Sequence, residues 1–130
     1  MKAARLTAPK HFEFIDIEQP QAVDGECLVK LERVSVCGSD IRHHYGPIKD
    51  ESAYPMDPGL PCHELAGTVV ESRTDQIQEG QRVIVIARPG TGGLQEYVVS
   101  DPGRMIMLPE QGPIDEWLMC QPSGTVLYAC

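Results

Sequence analysis

The chain has 130 residues, room for one domain with its own core but not for two complete ones. Nineteen acidic residues stand against eleven basic ones, a net charge of -8 without any basic run, which excludes a surface built to neutralise nucleic-acid phosphates. The five cysteines are odd in number and contain no C-x-x-C pair, so neither a disulfide scaffold nor a zinc ribbon is expected. No apolar segment follows Met1–Arg5 as it would in a signal peptide, and the longest apolar run, Val83 to Ala87, is far too short to span a bilayer. The expected setting is a reducing cytoplasm.

Twelve glycines and eleven prolines divide the chain into short runs rich in Val, Ile and Leu, the rhythm of an all-β barrel or sandwich. Met1 to Leu6 is an edge-strand candidate. Phe12, Phe14, Ile15 and Ile17 suggest a second strand, which Pro20 ends. Asp24-Gly25 marks a turn. Cys27, Val29 and Leu31 then alternate cleanly, and the pattern slips once near Glu32-Arg33 before Val34 and Val36, as at a β-bulge. No strand is expected from 37 to 61. Ser39-Asp40 can start a short helical turn over Ile41 to Tyr45, and Pro47, Pro55, Pro58 and Pro61 keep the rest a long loop, which in a compact domain is usually functional or mobile. Leu65 to Glu71, Gln81 to Ala87, Gln95 to Val99 and Met105 to Leu108 are further strands, with Gly67 at a bend or close contact. Gly90-Thr91-Gly92-Gly93 reads as a hairpin turn. It is not a phosphate loop, because Gln95 fills the last glycine position of the frame and a strand follows. No other dinucleotide fingerprint occurs. After Gly112-Pro113, Ile114 to Cys120 is a helix candidate, and Gly124 to Cys130 opens another that stops in mid-pattern, as in a fragment of a longer protein.

Two stretches carry chemistry. Cys37-Gly38-Ser39-Asp40 supplies a thiol, a hydroxyl and a carboxylate, and Cys62-His63-Glu64 sets an imidazole between a thiol and a carboxylate. Zinc takes thiolate sulfur, imidazole nitrogen and carboxylate oxygen; a catalytic site keeps one position open and a structural site closes all four. The two stretches are therefore expected to converge on one zinc ion. Zinc lowers the pKa of an alcohol oxygen as it does that of water, and a serine hydroxyl one hydrogen bond away, here Ser39, can pass the released proton outward. Each residue also has a plainer reading. Cys37 fits a small buried hydrophobe at a strand end. His63 fits a satisfied loop histidine, Glu64 a solvated charge, and Asp40 the N-cap of a helical turn. Cys27, Cys62, Cys120 and Cys130 read as packing residues.

The order of several segments carries a resemblance. They are Gly25-Glu26-Cys27-Leu28-Val29-Lys30, Val36-Cys37-Gly38-Ser39-Asp40, Pro61-Cys62-His63-Glu64-Leu65-Ala66-Gly67-Thr68-Val69-Val70-Glu71, Gly80-Gln81-Arg82-Val83, Gly93-Leu94-Gln95-Glu96-Tyr97 and Leu108-Pro109. Across residues 1 to 130 the chain resembles the GroES-like catalytic domain of zinc-dependent medium-chain alcohol and polyol dehydrogenases. The resemblance implies a mainly β fold, a GroES-like partly open barrel with short helices, over 1–112. Over 113–130 it implies the start of a helical connection to a nucleotide-binding domain that these residues do not contain. The implied activity is oxidation of a small-molecule alcohol or polyol to an aldehyde or ketone by hydride transfer to NAD or NADP, with the 130 residues inactive or nearly so on their own. Neither nucleic acid nor membrane is an expected partner. The competing reading is a stand-alone zinc-binding or GroES-like interaction module without enzyme activity.

Position by position, the resemblance puts Cys37 and His63 on the first two zinc ligands and Glu64 in or beside the metal shell. Gln121-Pro122 falls at the next metal position, with Gln121 either a weak ligand or a residue that binds water. Ser39 falls on the hydroxyl that passes the substrate proton, and Asp40 on the carboxylate that orients the ligand histidine. The chain departs from the pattern in several places. Cys62 replaces the usual glycine. Arg42 occupies the place of a relay histidine, leaving His43, just beyond, to take that role. Arg88 to Gly93 bridges the site where a four-cysteine structural zinc lobe is inserted in relatives. The resemblance also implies an exposed apolar surface near Leu118, Val126 and Tyr128, where a second domain would dock and through which a homo-oligomer can form.

Overall fold

The computed structural model describes residues 1–45 and 51–130. Pro47, expected in the long loop, lies outside them. Among the described residues seven strands form two antiparallel sheets that do not close into a full barrel. The hairpin β1 (Lys2–Ala8) and β2 (His11–Asp16) is one sheet. The other runs in the order β6-β3-β4-β5-β7. Its strands are β3 (Cys27–Ser35), β4 (Glu64–Ser72), β5 (Arg82–Ile86), β6 (Tyr97–Ser100) and β7 (Met105–Met107). The two sheets are tied together by backbone: Gln95 bridges Ala3, and Ala4 N–H donates to Leu94 O at 2.7 Å. The expected mainly β, partly open architecture with short helices is therefore present.

The apolar runs explain the sheet's centre. Leu65 and Val69 of β4 and Val83 and Val85 of β5 turn to one face with Cys27, Val29 and Val98, while Ala66 and Ile84 turn to the other. Strands covered on both faces read as continuous apolar runs, because alternate side chains each find a layer to enter. The second face is closed by α2 (Ile114–Leu118), which buries Ile114 and Leu118. Each such aliphatic side chain contributes about 1.5–3 kcal/mol when fully buried. The bulge expected near Glu32-Arg33 is seen as a register shift between Leu31 and Arg33 opposite β4. Gly67 pairs with Leu31 there, and an added Cβ would fall inside the van der Waals shell of the Lys30 carbonyl. That close approach is why the strand carries a glycine.

Four expectations are corrected. Gly90 to Gly93 is a turn, with Thr91 N–H donating to Arg88 O at 3.0 Å, but it is not a hairpin: β5 pairs with β4 and β7, and β6 with β3. Chain neighbours here are separated by two intervening strands. The C-terminal helix α3 is a single element over Cys120–Ala129, starting earlier than Gly124, because Pro122 sits in its first turn, where its missing N–H costs nothing. Leu118 is buried against the sheet, so of the three apolar residues expected at an open face only Val126 and Tyr128 are exposed. Cys27 and Cys62 pack inside, whereas Cys120 and Cys130 are exposed on and after α3.

Candidate metal centre

The β3–β4 pairing builds the site. Ser35 is opposite Glu64 in an antiparallel register, so the residues just past the end of β3 and just before the start of β4 meet at the same end of the sheet. Cys37 lies on one side of that junction and His63 on the other. After Cys37 the chain makes one helical turn, α1 (Gly38–Asp40), followed by a widened turn over Ile41–Tyr45. The turn folds Asp40 back beneath Cys37. Asp40 is 1% exposed, and its Oδ2 accepts from the Cys37 backbone N–H at 3.0 Å. Asp40 is thus not the N-cap of the turn; Cys37 holds that place and Asp40 reaches back to it from the third helical position.

The other Asp40 oxygen, Oδ1, lies 3.4 Å from His63 Nδ1. A carboxylate facing Nδ1 favours the tautomer with its proton on that nitrogen, which leaves the Nε2 lone pair available to a metal. His63 Nε2 then faces Cys37 Sγ at 3.8 Å. A zinc ion joining sulfur at about 2.3 Å and nitrogen at about 2.0–2.1 Å with a tetrahedral angle needs those atoms about 3.6 Å apart. Among the described residues, the donor atoms gathered within 4.8 Å of one another belong to Cys37, Asp40 and His63. The donor types and the spacing fit zinc.

The remaining expected residues fall at graded distances from that cluster. The Ser39 hydroxyl is exposed and lies 2.7 Å from Cys37 Sγ, one hydrogen bond from the donors. Gln121, in the first turn of α3, donates from Nε2 to the His63 backbone O at 3.0 Å. Its Oε1 is buried without a hydrogen-bond partner among the described residues. A buried amide oxygen left unpaired is a costly arrangement unless a ligand completes it. Glu64 is not a solvated charge, since it is 5% exposed, and its carboxylate is not in the cluster. His43 is exposed on the widened turn, with its ring edge-on to His44 at 6.5 Å between centroids, and is also outside the cluster.

Sequence reasoning missed two features. Cys62 occupies a left-handed backbone conformation, φ +43°, and its Sγ meets the Tyr45 hydroxyl at 3.4 Å. Burial pushes both groups up, the Tyr45 phenol further helped by its bond to Cys62, so both stay neutral and Cys62 packs as an uncharged thiol. The only signal in the sequence is that Cys62 stands where the resemblance implies a glycine. The second feature is a cleft of about 450 Å³ that opens at Asp40 and His63; Met56, Leu60, Arg88 and Arg104 are among its lining residues. No sequence pattern singles out Arg88, in the segment after β5, or Arg104, which ends a short 3-10 turn over Pro102–Arg104.

Residues 23–110 match the family described as the alcohol dehydrogenase GroES-like domain. An alcohol dehydrogenase of Geobacillus stearothermophilus is 34% identical over 116 residues, covering 85% of this chain and 32% of the relative. D-arabitol-phosphate dehydrogenase of Enterococcus avium is 34% identical over 87 residues, covering 64% of this chain and 24% of the relative. The solved structure of 2R,3R-butanediol dehydrogenase from Bacillus subtilis superposes with a TM-score of 0.77 at 26% identity, over 98% of this chain and 46% of that one. The chain thus spans less than half the length of each of these proteins.

Proposed function

The chain belongs to the alcohol dehydrogenase GroES-like domain family, and from that premise we propose that it is the catalytic portion of a zinc-dependent, NAD(P)-linked dehydrogenase. Its substrate is a small alcohol or polyol, oxidised to an aldehyde or ketone. Names among the similar proteins span plain alcohols and phosphorylated polyols, which supports that breadth. In this reading 1–112 is the catalytic domain and 113–130 begins the connection to a nucleotide-binding unit. The 130 residues alone do not transfer hydride, because they carry no dinucleotide fingerprint to seat the acceptor. Solution in the cytoplasm and self-association through the Val126 and Tyr128 face belong to the same proposal; no helix among the described residues is long and apolar enough to cross a membrane.

The observation that carries the reading is Cys37 Sγ facing His63 Nε2 at 3.8 Å with Nδ1 held by a buried carboxylate. Cys37 and His63 would hold the ion. Gln121, braced on the His63 carbonyl with Oε1 unpaired, is the next donor, and Glu64 is left out because its carboxylate is not in the cluster. Zinc held there supplies a Lewis acid that lowers the pKa of an alcohol oxygen. Asp40 fixes the His63 ring and its tautomer. Ser39, exposed and one hydrogen bond from the donors, takes the substrate's hydroxyl proton and hands it to solvent, with His43 on the next turn as the following relay residue. Met56, Leu60 and Pro61 give the cleft an apolar wall that limits water.

Zinc titration against a competing chelator tests the centre. The expected result is one zinc per chain, bound at least about 100-fold more weakly after Cys37→Ser or His63→Ala. Equal retention by both variants would rule out this ligand pair. Zinc-edge absorption should show sulfur and nitrogen in one shell.

A further inference from the structure

We propose that the cleft at this centre takes a phosphorylated polyol, with Arg104 receiving the phosphoryl group beside an Arg88 already held by carboxylates. The inference rests on the zinc-dehydrogenase reading and names the substrate class for it. The cleft, about 450 Å³, has the size of a small-ligand site. Its lining includes His63 and Asp40 as well as Arg88, Thr91 and Arg104. A polyol carrying a terminal phosphate is extended and bears its charge at one end. Lying along this cleft, it would put a hydroxyl at the metal donors and the anion at Arg104.

The arrangement of the two arginines carries the inference. Arg88 is fixed by two acids, Glu26 at 2.8 Å from Nη1 and Asp101 at 3.2 Å from Nη2. The turn that seats it is closed by the Thr91 hydroxyl, which donates to Arg88 O at 2.8 Å. One guanidinium therefore already serves both carboxylates. Arg104 adds to that group only a contact from Nε to Asp101 at 3.7 Å, beyond hydrogen-bond range. Among the described residues nothing accepts from its two terminal nitrogens. A guanidinium presents five N–H donors in a planar fork that matches phosphate oxygens two at a time, and a phosphate monoester brings about 1.5–2 negative charges at neutral pH. A second arginine that is superfluous to the ion pairs, with an unused donor edge on a cleft that reaches a candidate catalytic centre, fits anion capture better than fold support. The two acids balance the two arginines in charge, so the cleft is not a general anion sink. Capture depends on the fork geometry and weakens as salt rises.

The test uses the zinc-loaded 130-residue chain and follows chemical-shift changes by NMR during titration with glucitol phosphate, glucitol, inorganic phosphate and NADP. The expected result is at least a tenfold preference for glucitol phosphate over glucitol. Arg104→Gln should abolish that preference without changing the far-ultraviolet circular dichroism, and Arg104→Lys should keep part of it. Equal affinities for the two polyols, or a preference untouched by Arg104→Gln, would show the arginines to be a structural ion-pair group and overturn the inference. NADP binding tighter than glucitol phosphate through Arg104 would reassign the cradle to a cofactor phosphate and also overturn it. One zinc bound with no phosphate preference sinks this inference alone. Phosphate preference through Arg104 with no zinc bound supports the cradle and counts against the metal centre.

Discussion

The centre of the five-stranded sheet and the end of it that bears Cys37 and His63 are held by different kinds of contact. At the centre, Val29, Leu65, Val69, Val83 and Val85 bury apolar surface against one another, and each contact has several equivalents. At the end, one carboxylate, one sulfur and one imidazole nitrogen face each other at fixed separations, and none has a substitute nearby among the described residues. Burial is non-directional and roughly proportional to area, so the first region tolerates volume-conserving change. Ligation is directional and atom-specific, so the second tolerates almost none. The difference teaches that stability and chemistry can be altered separately here, although only a few residues lie between them.

The separation can be broken or sharpened experimentally. The largest effect is expected from Gly67→Val. The new side chain would drive β4 away from the Lys30 carbonyl, costing more than about 3 kcal/mol in urea denaturation and disturbing both regions at once. Cys37→Ser should act on the end region alone. Its metal-free unfolding free energy should stay within about 0.5 kcal/mol of the parent, because a half-exposed thiol carries little packing, while its zinc affinity collapses. A clear drop in metal-free stability would show the two regions to be coupled. Asp40→Asn is a middle case. It keeps the shape but weakens the hold on His63 Nδ1, so zinc affinity should fall about 10–100-fold, with a metal-free loss of about 1 kcal/mol from the weakened bond to Cys37 N–H.

The smallest effect is expected at the start of β3, far along the sheet from the donors. The Val23 backbone N–H, and then Arg88, hold the Glu26 carboxyl below its usual range. A carboxyl depressed in the folded state stabilises the fold above its unfolded value near 4.5, and that contribution is lost as pH falls through the lower folded value. Glu26→Gln should therefore cost under about 1 kcal/mol at neutral pH and almost nothing in acid, as read from denaturation curves at the two pH values. A difference that persists in acid would mean that shape, not charge, matters there.

Much of this was legible from residue order. Alternation in Cys27, Val29 and Leu31, its slip at Glu32-Arg33, and the glycine at position 67 located β3, its bulge and its close approach to β4, because each is a local rule of strand geometry. The convergence of Cys37 and His63 was legible as ligand chemistry, though no local rule states that Ser35 pairs with Glu64. What failed was non-local. Gly90 to Gly93 has the composition of a hairpin, yet β5 and β6 each find other partners. The second strand expected around Phe12 and Phe14 is present as β2, but nothing in the sequence shows that it pairs only with β1, which leaves Phe14 84% exposed. Glu64 follows His63 directly, and sequence adjacency suggested a shared ion. Consecutive residues of extended chain point to opposite sides, and the carboxylate that joins the donors comes instead from Asp40, folded back by one helical turn. Arg104 could not be paired with the site at all, since the cleft that unites them exists only after folding.

The rung between Ser35 and Glu64 is the last of the β3–β4 ladder. Cation uptake one or two residues beyond it would act as a clasp on a terminus otherwise free to unzip. Backbone amides near that rung should then exchange with deuterium more slowly when the cation is supplied and faster when a chelator removes it, so occupancy would be readable as local breathing without any turnover.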